Sequence, residues 1–299
     1  MKITVITPFY KGEKYIERYV DCMLDNEANL KSEGHELRII LVNDNPLGPA
    51  IPIDNNEKDG FIKFIVNDEN RGIHFSRLAG LEEVSDDTDY IMFLDQDDTL
   101  EKDALLTMLN HAKANNLPDV VVSNAKLEQA DGSRLLWYRN DYHKSLIGDL
   151  NTYVKVGIQI ISPGQCLIKP DSIPDFWKEN ILENNGADDY FLWLLMLAQN
   201  KTFSYCDEPL YEHHYTAVNL SADTTVTDTS SFEFMEYLGD CEFFPQEALF
   251  SLHEMVSYKS QFRTSKTLGK IQCSLAYLNL FTENLKFKKK TGTKLGFNR

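Results

Sequence analysis

The chain reads as an α/β protein, a mostly parallel sheet flanked by helices and continued by a helical C-terminal extension. Three observations predict this. Short β-branched runs alternate with stretches of helical spacing over the first 123 residues, the pattern of a parallel sheet covered by helices. Each of those strand runs ends in polar residues. From Phe232 to Leu285 the apolar residues cluster at helical intervals.

The elements follow in order. Ile3–Thr7 (ITVIT) is a β-branched strand stopped by Pro8. From Lys11 to Leu24, Tyr15, Ile16, Tyr19, Val20, Met23 and Leu24 fall on one helical face. Leu37–Val42 is a second strand ending in Asn43-Asp44-Asn45-Pro46, and Phe61–Val66 a third ending in Asn67-Asp68-Glu69-Asn70. A helix from Ile73 to Val84 carries Arg77 and Gly80, and Tyr90–Leu94 is a fourth strand. Beyond it come a helix over Lys102–Ala114, a strand at Asp119–Ser123, and a hairpin over Lys126–Tyr138 turning at Asp131-Gly132. Asp141–Tyr153 is polar and aperiodic, a loop; Gly157–Lys169 reads as strand, Pro-Gly turn, strand. Tyr205–Asn219 reads as a tyrosine-rich loop holding His213 and His214. Ser221–Ser231, rich in Ser, Thr and Asp, marks a boundary or a mobile lid, so that 1–220 and 221–299 form two regions.

The stretch that organises this pattern is YIMFLDQDDTL, Tyr90–Leu100. A buried strand empties into Asp95, Asp97 and Asp98. Carboxylates that close resist joint ionisation unless a base, solvent or a cation stabilises them. Mg²⁺ characteristically combines one or two carboxylates with substrate phosphates, and ligands of open α/β sheets bind at strand C-termini. The expectation is a metal–diphosphate site; the plainer alternative is an acidic turn in which Asp98 or Thr99 caps the next helix. Right-handed crossovers put Thr7, Asp44, Asn70 and Asp95 on one rim. Neither GxGxxG nor GxxxxGK[ST] is present, which leaves phosphate binding to a metal. A second acidic pair, Asp188-Asp189, opens an apolar helix in NGADDYFLWLLM; its dipole accounts for one acid more readily than for two.

Composition narrows the function. Hydrophobic residues make up 42% and charged residues 25%, the balance of a soluble globular protein. The net charge of −16 argues against nucleic acid as a partner. Five widely spaced cysteines without a CxxC pair fit a reducing compartment, and the N-terminus has no signal-peptide pattern, so a cytoplasmic protein is expected. Lys286, Lys288, Lys289, Lys290, Lys294 and Arg299 form a basic tail without acids, which suits either solvent or peripheral contact with an anionic membrane surface.

At these motifs the sequence resembles the family 2 glycosyltransferases of the GT-A fold, of the bacterial surface-polysaccharide type. The resemblance runs from Ile3 to about Ser221 and rests on ITVITPFYKGEKYIERYVDCML, LVNDNP, Asn67–Gly72 with Arg77 downstream, FLDQDD and GADDYFLWL. It implies an inverting, metal-dependent transfer of a sugar from a nucleotide-sugar donor, a UDP-sugar by the family's habit, to a glycan or lipid-linked acceptor. By the same resemblance Thr7, Pro8 and Tyr10 line the base pocket, Asp44 bonds the base, Arg77 contacts the donor and Asp95 holds the ribose or diphosphate. Asp97 and His214 are then the Mn²⁺ or Mg²⁺ ligands, and Asp189 is the catalytic base, with Asp98, Asp188 and His213 in support. Asp188 stands where the family usually has Glu. The rival of another class is a haloacid dehalogenase-like phosphohydrolase using Asp95-Gln96-Asp97-Asp98-Thr99 as its DxDxT motif; about ninety preceding residues of strand and helix count against it. A nucleotidyltransferase lacks its Gly-rich basic loop after the first strand here, and a non-catalytic binding protein would not need every acidic position filled.

Overall fold

The structure, a computed structural model, describes residues 1–49, 51, 61–129, 131–214 and 224–293. The β-branched opening forms β1 (Lys2–Phe9), and the helix after it, α1 (Ile16–Ser32), runs eight residues beyond Leu24. Its polar end is held from within by Asn26, which is fully buried, donates to the carbonyl of Glu101 (3.0 Å) and accepts from the N–H of Leu105 (3.0 Å). Then come β2 (Glu36–Asn43), β3 (Ile62–Val66), α2 (Gly72–Glu82) and β4 (Tyr90–Phe93). The acidic turn leads into a two-residue strand, β5 (Thr99–Leu100), and α3 (Ala104–Ala114) has Asp103 at its N-cap without a side-chain cap. Asp98 and Thr99 therefore do not cap that helix.

β6 (Val120–Glu128) and β7 (Arg134–Leu136) make the expected hairpin, with Gly132 at φ +78° in its turn. The stretch expected as a loop contains α4 (Asp141–Lys144) and α5 (Leu150–Lys155), started by the side chains of Asn140 and Asp149. Of the second expected hairpin only β8 (Cys166–Ile168) is a strand. Gly157 sits at φ +121°, and Ser162 accepts from the N–H of Gly164 to open a 3₁₀ turn over Pro163–Gln165. After α6 (Asp175–Glu179) and α7 (Asp188–Ala198), the expected tyrosine-rich loop is, up to His213, the long strand β9 (Phe203–His213), and its residues 215–219 lie outside the described residues. The C-terminal region is helical as expected: α8 (Thr224–Gly239), α9 (Gln246–Thr264), α10 (Thr267–Ala276) and α11 (Leu278–Thr291). The boundary stretch at 221–231 is helical from Thr224 on, while Ser221 to Asp223 lie outside the described residues, as do Lys294 and Arg299 of the tail.

The strands join one sheet in the order β3-β2-β1-β4-β8-β6-β9-β5, with β7 on β6. β3, β2, β1 and β4 are parallel, so their C-terminal ends share one edge; β6 and β9 are parallel too, and the short pairings of β8, β5 and β7 are antiparallel. By contacts the chain forms two units, one of Met1–Trp137, Ser162–Ile173 and Thr202–Ala217, the other of Tyr138–Ile161, Pro174–Lys201 and Val218–Arg299. The second unit thus takes up two segments that lie before residue 220 as well as the C-terminal helices.

Candidate active site

The parallel edge of the first unit positions most of the expected residues. β1 ends at Phe9, opposite Asn43 of β2. The next residue, Tyr10, is exposed, and Lys11 lies 4.7 Å over its ring and holds its phenol below the usual value. Asn70 and Asp44 both stand close enough to act on the Tyr10 phenol. Pro8 is half-buried; Thr7 is wholly buried, its hydroxyl 2.8 Å from that of Tyr19. Asp44 is also buried and anchors the start of α2, which has no cap of its own. It accepts from the N–H groups of Arg71 (2.8 Å) and Gly72 (2.9 Å) and from the Asn67 amide (2.7 Å). A carboxylate at a helix N-terminus satisfies orphan donors, worth about 1 kcal/mol.

The three aspartates after β4 are held in three different ways. Asp95 accepts from Arg77 of α2 at 2.8 Å, and that guanidinium is itself 3% exposed. Asp98 is buried, accepting from the Tyr211 hydroxyl and from the N–H of His214 (3.0 Å), with His213 Nδ1 3.1 Å away. Gly164 admits the Tyr211 ring: a Cβ there would lie 2.7 Å from Tyr211 Cε2. Burial first, then the charges of Asp98 and Asp95, raise the Asp97 carboxyl to about 6, opposed by His213. A site that destabilises a carboxylate in this way is one a cation relieves. Gln96, inside the same turn, accepts from the N–H of Tyr10 (3.0 Å) and donates to its carbonyl (2.9 Å), tying the acidic turn to the loop after β1.

The two histidines part at the end of β9. His213 shares a face with Tyr211, their rings stacked at 6.5 Å. His214 has both ring nitrogens engaged, Nε2 with Thr99 (2.8 Å) and Nδ1 with Glu128 (3.0 Å). Among the described residues no group of three or more His, Cys, Asp and Glu is arranged to hold a metal alone. Asp97 and His213 act on one another electrostatically, and one or two protein ligands are what a Mg²⁺ site completed by substrate oxygens needs.

The other acidic pair belongs to the second unit. Asp188 and Asp189 open α7; Asp188 is buried, and Asp189 accepts from the N–H of Tyr190 at 2.7 Å. The Trp177 indole donates to the Asp188 carbonyl (2.9 Å) and the Tyr190 hydroxyl to the Tyr153 carbonyl (2.6 Å), fixing this turn. A cavity of about 140 Å³ opens on Asp189 and Tyr190, bounded also by Gly157, Gly186, Lys259 and Arg263. Tyr211, Gln96, Glu128 and Lys259 are not singled out by the sequence, and Thr99 is read there only as a helix cap or as the end of a DxDxT pattern. Only Gln96, lying within the acidic motif, carries a local signal.

With this geometry in place, likeness to known proteins can be weighed. The family model described as glycosyl transferase family 2 matches residues 4–174, more than half of the chain. The chain belongs to that family. An uncharacterized glycosyltransferase of Haemophilus influenzae is 32% identical over 118 residues, 38% of this chain and 44% of its own length. The poly(ribitol-phosphate) beta-N-acetylglucosaminyltransferase TarP of Staphylococcus aureus is 29% identical over 128 residues, 42% of this chain and 37% of TarP. The matches thus span less than half of these relatives. Among solved structures, S. aureus TarS 1–349 in complex with UDP superposes with a TM-score of 0.60 at 16% identity, over 90% of this chain and 74% of that one. The mannosyltransferase PcManGT of Pyrobaculum calidifontis, in complex with GDP-Man and Mn²⁺, gives 0.55 at 12% identity, over 97% and 84%. At such identities the superpositions show the fold, a GT-A-like α/β sheet flanked by helices. The family 2 match also sets aside the phosphohydrolase alternative for Asp95.

Proposed function

We propose that the chain transfers a sugar from a nucleotide-sugar donor, a UDP-sugar in our reading, to a hydroxyl of a glycan or lipid-linked acceptor of the bacterial surface-polymer class. The observation that carries this is the acidic turn. Two of its carboxylates are occupied by protein partners, while the third, Asp97, is pushed up by burial first and then by the charges of Asp98 and Asp95, at the mouth of a parallel sheet. The ring of Tyr10, the edge of Pro8 and the backbone of Thr7 face the base, Asp44 and Asn70 supply polar contacts to it, and Asp95, held by Arg77, meets the ribose or diphosphate.

Asp97 would hold Mn²⁺ or Mg²⁺, with His213 in place of the expected His214, whose ring nitrogens are both engaged within the protein. When bound, the cation neutralises charge developing on the diphosphate leaving group. Asp189 is the general base: it takes the proton of the acceptor hydroxyl as that oxygen attacks the anomeric carbon from the face opposite the leaving group, which gives inversion. Asp188 supports that turn from its buried position, and the cavity against Asp189 is our candidate for the acceptor. The complexes of the structural neighbours with UDP, UDP-GlcNAc and GDP-Man support a nucleotide-sugar donor for a fold of this kind. The five free thiols suit a cytoplasmic setting, and the basic tail a peripheral contact with an anionic membrane.

The test is calorimetric binding and donor hydrolysis across a panel of nucleotide sugars, with Mn²⁺ and with EDTA, for the wild type and Asp97→Ala. Metal-dependent binding of one nucleotide sugar, lost in the variant, is the expected result. Absence of nucleotide binding, together with metal-dependent release of phosphate from monoesters that Asp95→Asn abolishes, would overturn the proposal.

A further inference from the structure

No helix among the described residues is long and apolar enough to cross a membrane, yet the C-terminal helices expose aliphatic surface in an ordered way. α10 and α11 form one helical path bent at Tyr277: its N–H bonds the Cys273 carbonyl (3.0 Å) and its own carbonyl accepts from Phe281 (2.9 Å). The inner side of this path is buried at Cys273, Leu280, Asn284, Phe287 and Thr291. The outer side carries Leu268 (69% exposed), Ile271 (55%), Leu275 (67%), Leu278 (53%) and Leu285 (43%). Steps of three, four, three and seven residues put these side chains in one stripe opposite the buried one. The next step of four reaches Lys289, which is exposed.

An aligned row of exposed aliphatics marks an interaction surface rather than scattered surface leucines. Its charge says what that surface meets. Residues 265–293 hold six lysines (266, 270, 286, 288, 289 and 290) and one acid, Glu283, in a chain whose net charge is −16. Lys286 pairs with Glu283 of its own helix at 2.8 Å, and Lys290 stands 4.5 Å from the centre of the Tyr142 ring of α4. A second copy docking through the same face would bring these like charges together, which disfavours self-association. An aliphatic stripe flanked by lysines is the pattern of a helix lying in a lipid interface, with its apolar residues among the acyl chains and its ammonium groups at the headgroups.

We propose that the outer face of α10 and α11 docks this protein on an anionic lipid surface. This deepens the reading of the basic tail and rests on it for the lysines alone, adding an apolar half that a purely electrostatic tail lacks. It is independent of sugar transfer.

The experiment is co-sedimentation of the full chain with phosphatidylcholine vesicles, with and without phosphatidylglycerol, at low and high salt. Nucleotide-sugar binding is measured in parallel, so that failure of the transferase reading shows separately. Binding is expected only with phosphatidylglycerol and should weaken with salt. Leu268→Ser/Ile271→Ser/Leu275→Ser should lower vesicle affinity at least tenfold. Lys288→Gln/Lys289→Gln/Lys290→Gln should lower it about a hundredfold. Melting temperature and donor affinity should stay as in the wild type, since every substituted residue is exposed. No binding to either vesicle, or equal binding by the triple-serine variant, overturns the proposal. So does self-association in sedimentation velocity that the triple-serine variant abolishes while vesicles remain unbound, because a second copy would then be what covers the stripe.

Discussion

Tyr211→Phe removes the phenol that donates to the buried Asp98 carboxylate while leaving the ring in the space beside Gly164. Burial first, then the charges of Asp98 and Asp95, hold this phenol well above its usual value, so it stays a donor at any working pH. Taking one donor from a buried carboxylate that keeps the His214 N–H costs about 1–3 kcal/mol; urea denaturation should register that loss, and calorimetry a weaker Mn²⁺ affinity as Asp98 settles elsewhere. The two histidines give a sharper contrast. His213→Ala should lower Mn²⁺ affinity at least tenfold, whereas His214→Ala should mainly lower the melting temperature, because Thr99 and Glu128 lose the ring between them. The acids themselves are legible in the sequence because an apolar run ends abruptly in carboxylates. Their partners are not: Tyr211 is 113 residues from Asp98, and which of two adjacent histidines turns toward it follows from the face of β9, on which Tyr211 and His213 are two apart.

At the scale of elements, the periodic pieces are readable and the irregular ones are not. β1 to β4 and α2 stand within a few residues of expectation and α1 runs eight residues past it, but β9 reads as a loop because its alternation is interrupted. Against β6 its register shifts between Ser123 and Asn124 and again between Asn124 and Ala125, where Asp207, Glu208 and Leu210 are extra residues. α4 and α5, at four and six residues, are too short for a 3.6-residue period to show. Close packing of α2 on β1 and β2 yields a prediction: a Cβ on Gly80 would lie 2.3 Å from Ile6 Cγ2 and 3.2 Å from Val42 Cγ2. Gly80→Val should therefore cost about 1–3 kcal/mol in chemical denaturation.

α9 yields another prediction. Lys259 is buried and donates to the Val156 carbonyl at 2.6 Å; desolvation, then Arg263, lowers its pKa to about 7 against Asp228. The unfolded chain keeps this proton up to about pH 10.5 while the folded chain releases it near 7. The destabilisation is thus fully present below pH 7 and is relieved as pH rises from 7 toward 10.5, with a slope of at most about 1.4 kcal/mol per pH unit. Lys259→Met should remove that slope from the pH dependence of stability.

For the molecule as a whole, the expected division at 220 meets a more interleaved chain. It passes between the two units after residues 137, 161, 173, 201 and 217. In the second unit Phe191 of α7 stacks on Phe234 of α8, with ring centres 5.6 Å apart and planes 8° from parallel. A fragment of residues 1–220 retains α7 without that partner and exposes the Phe191 face, so it should aggregate or bind a hydrophobic dye, as light scattering would show. The sequence conceals this interleaving because nothing in the composition changes at 137 or 173; the segments sort themselves through contacts with helices far downstream.

The same weaving constrains inheritance. A single genetic crossover near codon 220 would bring in foreign helices α8 to α11 and leave behind α4 to α7, which are packed with the originals. Modular exchange of one end of the gene between relatives would thus yield misfits. Change in 138–161, 174–201 and the last helices is better reached by linked point substitutions in all three together, so this part of the protein should change gradually, as a set.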